Sequence, residues 1–181
     1  MDVEGLIAKV REHYLDQFRA FVEQQRESCS QGCPELKLRL GERAGLYRNL
    51  YCVDFIAKED DGPKVFELAP ARYLAFAPIT CQVGSMEVEL IGLRWDQVTI
   101  THDKPDLQQD FLHDWFDIWF DPSDARQDPS AELSDVIHFV AIDGLIVSAD
   151  FGSAPIDAFW SLLDALEKAG CQRIRITEEA S

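Results

Sequence analysis

The chain has 181 residues, with 17 lysines and arginines against 33 aspartates and glutamates, and a formal charge of −16 at neutral pH. Hydrophobic residues make up 46% of it, so it can form a core and is neither disordered nor fibrous. Its low pI, near 4.5, separates it from proteins that bind nucleic acids or anionic membranes, because like charges repel. We therefore expect no nucleic-acid partner and no membrane partner.

The sequence also predicts where the protein resides. Its longest uncharged run, residues 73–86, is too short and too polar for a membrane helix, which needs about 20 mostly apolar residues. The opening Met-Asp-Val-Glu-Gly lacks the basic and apolar regions of a signal peptide. Five cysteines, an odd number scattered along the chain, favour free thiols in a reducing compartment. These features predict a cytoplasmic protein.

The first half of the chain begins with a helical pattern and continues with strand patterns. From Val3 to about Gln25, apolar residues recur every three or four positions, which predicts a long amphipathic helix. Runs of strand-forming residues then predict a meander. These runs are Glu35–Leu40, Leu50–Ala57 and Lys64–Leu68. Apolar and polar residues alternate again at 86–90 and 98–101, as in an antiparallel sheet with one buried face.

In the second half, Pro105–Asp121 is predicted to be helical and Pro122–Ser134 to be a loop. Asp143-Gly144 then separates two apolar runs and predicts a tight β-hairpin. The two strands of this hairpin are Val136–Ile142 and Leu145–Phe151.

The C-terminal residues complete the predicted fold. Pro155–Ala169 has one apolar face and is followed by Gly170, which predicts a helix and its end. Arg173–Thr177 is predicted to be a last short strand; if it joins the hairpin's sheet beside Leu145–Phe151, the connection must be a right-handed crossover. We therefore predict one α+β domain over residues 1–181, with a mainly antiparallel sheet packed by a long N-terminal helix and two further helices. It ends in a hairpin–helix–strand unit.

Motifs for particular chemistries are missing or incomplete. The glycine-rich phosphate loops, the serine-hydrolase elbow and the metalloprotease motif are absent. Cys29 and Cys33 have no second pair to complete a zinc site, and the acids after Asp121 do not follow the spacing of a calcium loop. The sequence therefore assigns no catalytic residue, no metal ligand and no cofactor.

An enzyme nevertheless stays open as an alternative, because catalytic groups are neighbours in space and need not be neighbours in sequence. A small hydrolase-like site would draw on His102, His113, Asp114 and the cysteines. Cys52 or Cys81 could meet a histidine in the fold. We interpret His138, which shares a strand face with apolar residues, as a hydrogen-bonded core or edge histidine.

The acidic charge is concentrated in one segment. Residues 103–136 contain 10 acidic and 2 basic residues, a net −8, which is half of the total. On a helix of about 100° per residue, five aspartates of the predicted helix fall within one arc of about 80°. They are Asp106, Asp110, Asp114, Asp117 and Asp121. No lysine or arginine lies between Pro105 and Asp121 to relieve their mutual repulsion.

This stripe of aspartates is either a solvated helix face or a binding surface. As a binding surface it would engage a basic protein partner, since complementary charge accelerates and orients association. Inhibitors of nucleic-acid-binding enzymes, including immunity proteins, are of this small, acidic type, although no motif here matches a particular family. The sequence therefore predicts a non-catalytic protein-binding module. A structural subunit of an assembly or a homo-oligomer also stays open.

Overall fold

The computed structural model describes residues 2–41, 45–128 and 130–178. Within them it contains helices α1 (Val3–Ser28), α2 (His113–Trp119) and α3 (Ile156–Lys168). The strands are β1 (Gly32–Arg39), β2 (Leu50–Glu59), β3 (Gly62–Phe66), β4 (Ile79–Val83), β5 (Met86–Leu90), β6 (Val98–His102), β7 (Phe139–Asp143), β8 (Ile146–Asp150) and β9 (Arg173–Thr177). The predicted α+β class is confirmed. None of the described helices is long and apolar enough to cross a membrane.

The strands form two sheets. Sheet A is antiparallel, in the order β1-β2-β3, and sheet B has the order β4-β5-β9-β6-β8-β7. Sheet B is mixed because β5 and β9 run parallel. A single hydrophobic cluster contains buried residues from both sheets and from all three helices. Helix α1 contributes a continuous buried stripe from Leu6 to Val22.

The predicted last strand is present and belongs to the same sheet as the hairpin, but it does not lie beside β8. β9 pairs with β5 and β6, and β6 separates it from β8. Charge complementarity between neighbouring strands accounts for this position. Arg173 and Arg175 lie beside Glu87 and Glu89 of β5, with nitrogen–oxygen distances of 2.9 and 2.8 Å. Ile174 and Ile176, the alternate residues of β9, are buried, so β9 fits between β5 and β6 in the centre of the sheet.

The predicted helix Pro105–Asp121 is too long. Only a 3₁₀ turn at Gln109–Leu112 and α2 are helical in this region. At the N-terminal side, the Asp103 carboxylate accepts hydrogen bonds from the backbone N–H groups of Gln172 and Arg173, which holds the chain against the start of β9. At the other end, Asp121 adopts a φ of +51° and leaves the helix.

The predicted hairpin is confirmed, but its turn is displaced by one residue. Asp143 pairs with Ile146, so Gly144 and Leu145 form the two-residue turn. Gly144 has a φ of +57°, whereas Leu145 is not among the residues with positive φ. Glycine at the first turn position with an ordinary second residue is typical of a type II′ turn.

We expect Gly144→Val to destabilise the fold by about 1 kcal/mol or more, because a β-branched residue resists the positive φ of this turn. Gly41 is the matched control, since it has no positive φ and an added Cβ there meets no atom within 4 Å. Thermal melts compare the two variants. Equal midpoints for Gly144→Val and Gly41→Val would show that the turn does not depend on glycine.

Candidate functional site

The structure disperses the predicted stripe of five aspartates. Asp106 lies in a turn before the helical segment, where its side chain is 81% exposed and 3.9 Å from the Lys104 ammonium. Asp121 is only 4% exposed. Its carboxylate accepts hydrogen bonds from the N–H groups of Ala125 and Arg126, at 2.9 and 2.8 Å. Asp121 therefore shapes the following loop and is unavailable to a partner, which corrects the sequence-based assignment.

The other three aspartates stay on one exposed side and form what we call the acidic face: Asp110, Asp114 and Asp117. Asp117 is paired with Arg48, whose guanidinium also contacts the ring of His113. Arg48, which is distant in sequence, therefore supplies a counter-ion to one aspartate of the acidic face. Asp110 and Asp114 have no ion pair with any described residue.

The acidic face borders an apolar groove between α2 and α3 with a volume of about 460 Å³. We call this the α2–α3 groove. Its large apolar side chains are Phe111, Trp115, Ile118 and Trp119, and Ala165 and Ala169 line it as well. Ile118 is 49% exposed, more than any other large hydrophobic residue that the structure describes. Asp114 and Asp164 also line the groove, and Asp164 is paired with Lys168. Exposed apolar side chains and acidic side chains therefore lie next to one another in the α2–α3 groove.

The two tryptophans of α2 have different roles. Trp115 is 4% exposed and its indole N–H donates to the carbonyl of Ala158, so it is a core residue. Trp119 is only half-buried, donates to the Ser161 hydroxyl and contacts the Arg126 guanidinium with its ring. It therefore belongs to the wall of the groove as much as to the core.

A second cluster of ionisable residues, which the sequence reasoning missed, lies in the interior. We call it the His138 cluster: His138, Glu35, Asp54 and Asp150. His138 Nε2 lies 3.0 Å from Glu35 Oε1, and Nδ1 lies 2.9 Å from Asp54 Oδ1 and 3.8 Å from Asp150 Oδ2. Nδ1 makes no hydrogen bond of good geometry, so its contacts are ionic. The His138 and Glu35 side chains are 1% and 0% exposed.

Local backbone geometry builds this cluster. Glu35 has a φ of +51° inside β1, a strained conformation for a residue other than glycine. Its carboxylate compensates for this strain by accepting from Ser134 N–H, at 2.6 Å, as well as from His138. The ring of His138 packs against Gly152, where an added Cβ would lie 2.2 Å from His138 Cδ2. Any larger residue at position 152 would displace the ring.

The surroundings of His138 favour its charged form. Burial alone would lower the pKa of His138. The acidic groups around it outweigh burial and raise this pKa well above its ordinary value; in order of effect they are Cys52, Asp150, Asp54 and Glu35. Burial raises the pKa of the Cys52 thiol strongly, so that thiol is neutral and the carboxylates hold the proton on His138. Conversely, the contacts with His138 outweigh burial and lower the pKa of Glu35.

Asp150 is the most accessible acid of the cluster. Its side chain is 16% exposed, against 7% for Asp54. Burial raises the pKa of Asp150 to about 7, although His138 opposes this effect. The cluster therefore exchanges protons near neutral pH. Both His138 ring nitrogens face carboxylates, so neither is directed towards a substrate as a general base would be.

The groups of the hydrolase-like alternative do not form a site among the described residues. His102 is buried at the end of β6, and its Nδ1 accepts from Lys104 N–H. His113 is exposed beside Arg48. Cys52 does lie near His138, but its neutral buried thiol is a poor nucleophile. No group of histidines, cysteines and acids in the described part of the chain is arranged to hold a metal ion.

Comparison of the chain with protein-family models, with curated proteins and with solved structures found no match.

We expect the protein to lose stability as the pH rises from about 5 to about 8, by roughly 2–4 kcal/mol. Unfolded Asp150 loses its proton near its ordinary pKa, whereas folded Asp150 keeps it until about pH 7. The folded state therefore binds more protons in this range, and linkage lowers its stability as the protons leave. The raised pKa of His138 continues the loss above neutrality. Denaturant titration at each pH measures the effect.

The variant Asp150→Asn is expected to flatten this pH dependence, because asparagine does not titrate. Asp110→Asn is the control, since Asp110 is exposed and lies outside the His138 cluster. Equal pH profiles for the two variants would show that Asp150 does not bind the proton in the folded state.

Proposed function

We propose that this chain is a cytoplasmic, non-catalytic binding module that engages a basic protein partner through the acidic face and the α2–α3 groove. The observation that carries the proposal is the position of Asp114, which is exposed, has no described counter-ion and lines the groove beside Ile118. Asp110, four residues earlier, is likewise exposed and without a described counter-ion. All five cysteines are free, which agrees with a reducing compartment.

The chemistry of the surface defines the partner. Unpaired carboxylates accelerate the approach of a positively charged protein and orient it. The exposed side chain of Ile118 and the wall formed by Trp119 then offer apolar area whose burial supplies affinity. The expected ligand is therefore a basic amphipathic segment, with lysines or arginines beside leucine-like residues. The basic surface of a nucleic-acid-binding enzyme would present such a segment, as an inhibitor-type role requires.

Binding is favoured over catalysis by the environment of the candidate catalytic groups. The ring nitrogens of His138 are occupied by carboxylates, and the nearby Cys52 thiol is buried. His102 and His113 engage neighbours of their own. No contact among the described residues favours the hydrolase-like alternative.

The test uses a synthetic amphipathic peptide of lysine and leucine, titrated while tryptophan fluorescence is recorded. We expect Asp110→Asn/Asp114→Asn to weaken binding about five- to tenfold and to reduce its dependence on salt, because two exposed charge contacts are lost. Asp60→Asn/Asp61→Asn is the matched control, since it removes the same charge from the exposed turn between β2 and β3. Its affinity should stay within about twofold of the parent protein.

Two results would contradict the proposal. If both double variants weaken binding equally, the net charge of the molecule attracts the peptide and the acidic face has no special role. If Ile118→Ser leaves the affinity unchanged at high salt, the groove does not contribute apolar contacts. A loss of affinity in Ile118→Ser that persists at high salt is the expected outcome.

A further inference from the structure

The edges of the two sheets differ in how they are protected from pairing with other chains. An open strand edge pairs readily with another strand, and natural proteins prevent this with proline, charged residues or a covering segment. β1 contains Pro34 and Lys37, and Lys37 contacts the loop after α2. β3 contains Pro63 and Lys64. Both edges of sheet A are therefore protected. The edges of sheet B are β4 and β7.

β7 is covered by sheet A. The backbone N–H of Cys52 in β2 donates to the carbonyl of His138, next to β7, at 2.8 Å. Leu46 forms a bridge with Ala141 in β7 itself. β7 also ends in a charged residue, Asp143.

β4 has no charged residue and no proline within its own bounds, and Pro78 lies just before it. Its sequence is Ile-Thr-Cys-Gln-Val. The strand lies within the uncharged run of residues 73–86, in a chain whose formal charge is −16. Two copies of such an acidic molecule repel one another over most of their surface, so this run is where they can approach with least repulsion.

The hairpin geometry shows which backbone groups of β4 are open. Val83 pairs with Met86 across a two-residue turn, and such a closing pair exchanges two hydrogen bonds. Bonded pairs recur at every second residue, so Cys81 and Ile79 also bond to β5. The N–H and C=O groups of Thr80 and Gln82 therefore point to the open edge. No other described backbone segment donates to them or accepts from them.

We propose that β4 pairs antiparallel with β4 of a second copy of this chain, joining two copies of sheet B into one continuous sheet. The open groups are symmetric about Cys81, so Thr80 of each copy would face Gln82 of the other. This register makes four hydrogen bonds between the copies. It also places the two Cys81 residues in a non-hydrogen-bonded pair with Cα atoms about 4.5 Å apart, within reach of a disulfide.

The first test is oxidative crosslinking of the native protein. Cys81 is a free, half-buried thiol, and Cys33 is a free, exposed thiol on another sheet. Diamide takes up two hydrogens as two thiols form a disulfide, and non-reducing electrophoresis then detects linked dimers. We expect linked dimers in the parent protein and in Cys33→Ser, and none in Cys81→Ser. Dimers that persist in Cys81→Ser would overturn the proposed register.

The second test is sedimentation equilibrium of edge variants. Thr80→Pro removes an outward N–H without touching the β4–β5 bonds, and should raise the dissociation constant of the dimer about tenfold or more. Thr80→Val keeps the N–H and should stay within about twofold of the parent protein. Equal weakening by both variants, or a parent protein that is monomeric at about millimolar concentration, would overturn the proposal.

Salt separates this association from the proposed binding function. Raising the salt from about 0.05 M to about 0.5 M screens repulsion between the acidic copies and should strengthen the dimer. The same change should weaken binding of the basic peptide, since attraction is screened as well. A dimer that weakens with salt would contradict pairing through the uncharged edge, whatever the peptide does.

Discussion

The buried imidazole of His138 connects the two sheets, and the arrangement of the rest of the fold depends on that connection. The backbone carbonyl of His138 accepts a hydrogen bond from the backbone N–H of Cys52 in sheet A. The backbone N–H of His138 donates to the carbonyl of Asp150 at the end of β8. Its ring lies between Glu35 and Asp54, which face each other across β1 and β2. Because a buried charge is costly without partners, removing one member of this cluster exposes the others to the full desolvation penalty.

This connection also positions the proposed binding surface. Glu35 fixes the end of the loop after α2 through Ser134, and Asp121 fixes its beginning through Ala125 and Arg126. The α2 segment is thus held at both sides, with Trp115 anchored on α3. A rigid support of this kind lowers the entropy lost when a partner binds to the acidic face.

Most of the fold follows from local patterns, whereas the His138 cluster depends on contacts between distant residues. Alternation of apolar residues and a glycine-containing turn predict the hairpin, because both are local properties. The cluster joins residues 35, 54, 138 and 150, whose proximity no spacing reveals. One signal was present: Asp54 interrupts an otherwise apolar strand, and a charge in such a place is seldom buried without a partner. The predicted stripe of aspartates is wrong at Asp121, because the positive φ of this residue takes it out of the helix.

We infer that His138 is a doubly protonated imidazolium held between carboxylates of both sheets. ¹⁵N nuclear magnetic resonance of the histidine rings tests it most directly, since the chemical shifts of the two ring nitrogens report their protonation separately. At neutral pH we expect both His138 nitrogens to have the shifts of protonated nitrogen. A neutral His138 ring, with one protonated and one unprotonated nitrogen at neutral pH, would contradict the account.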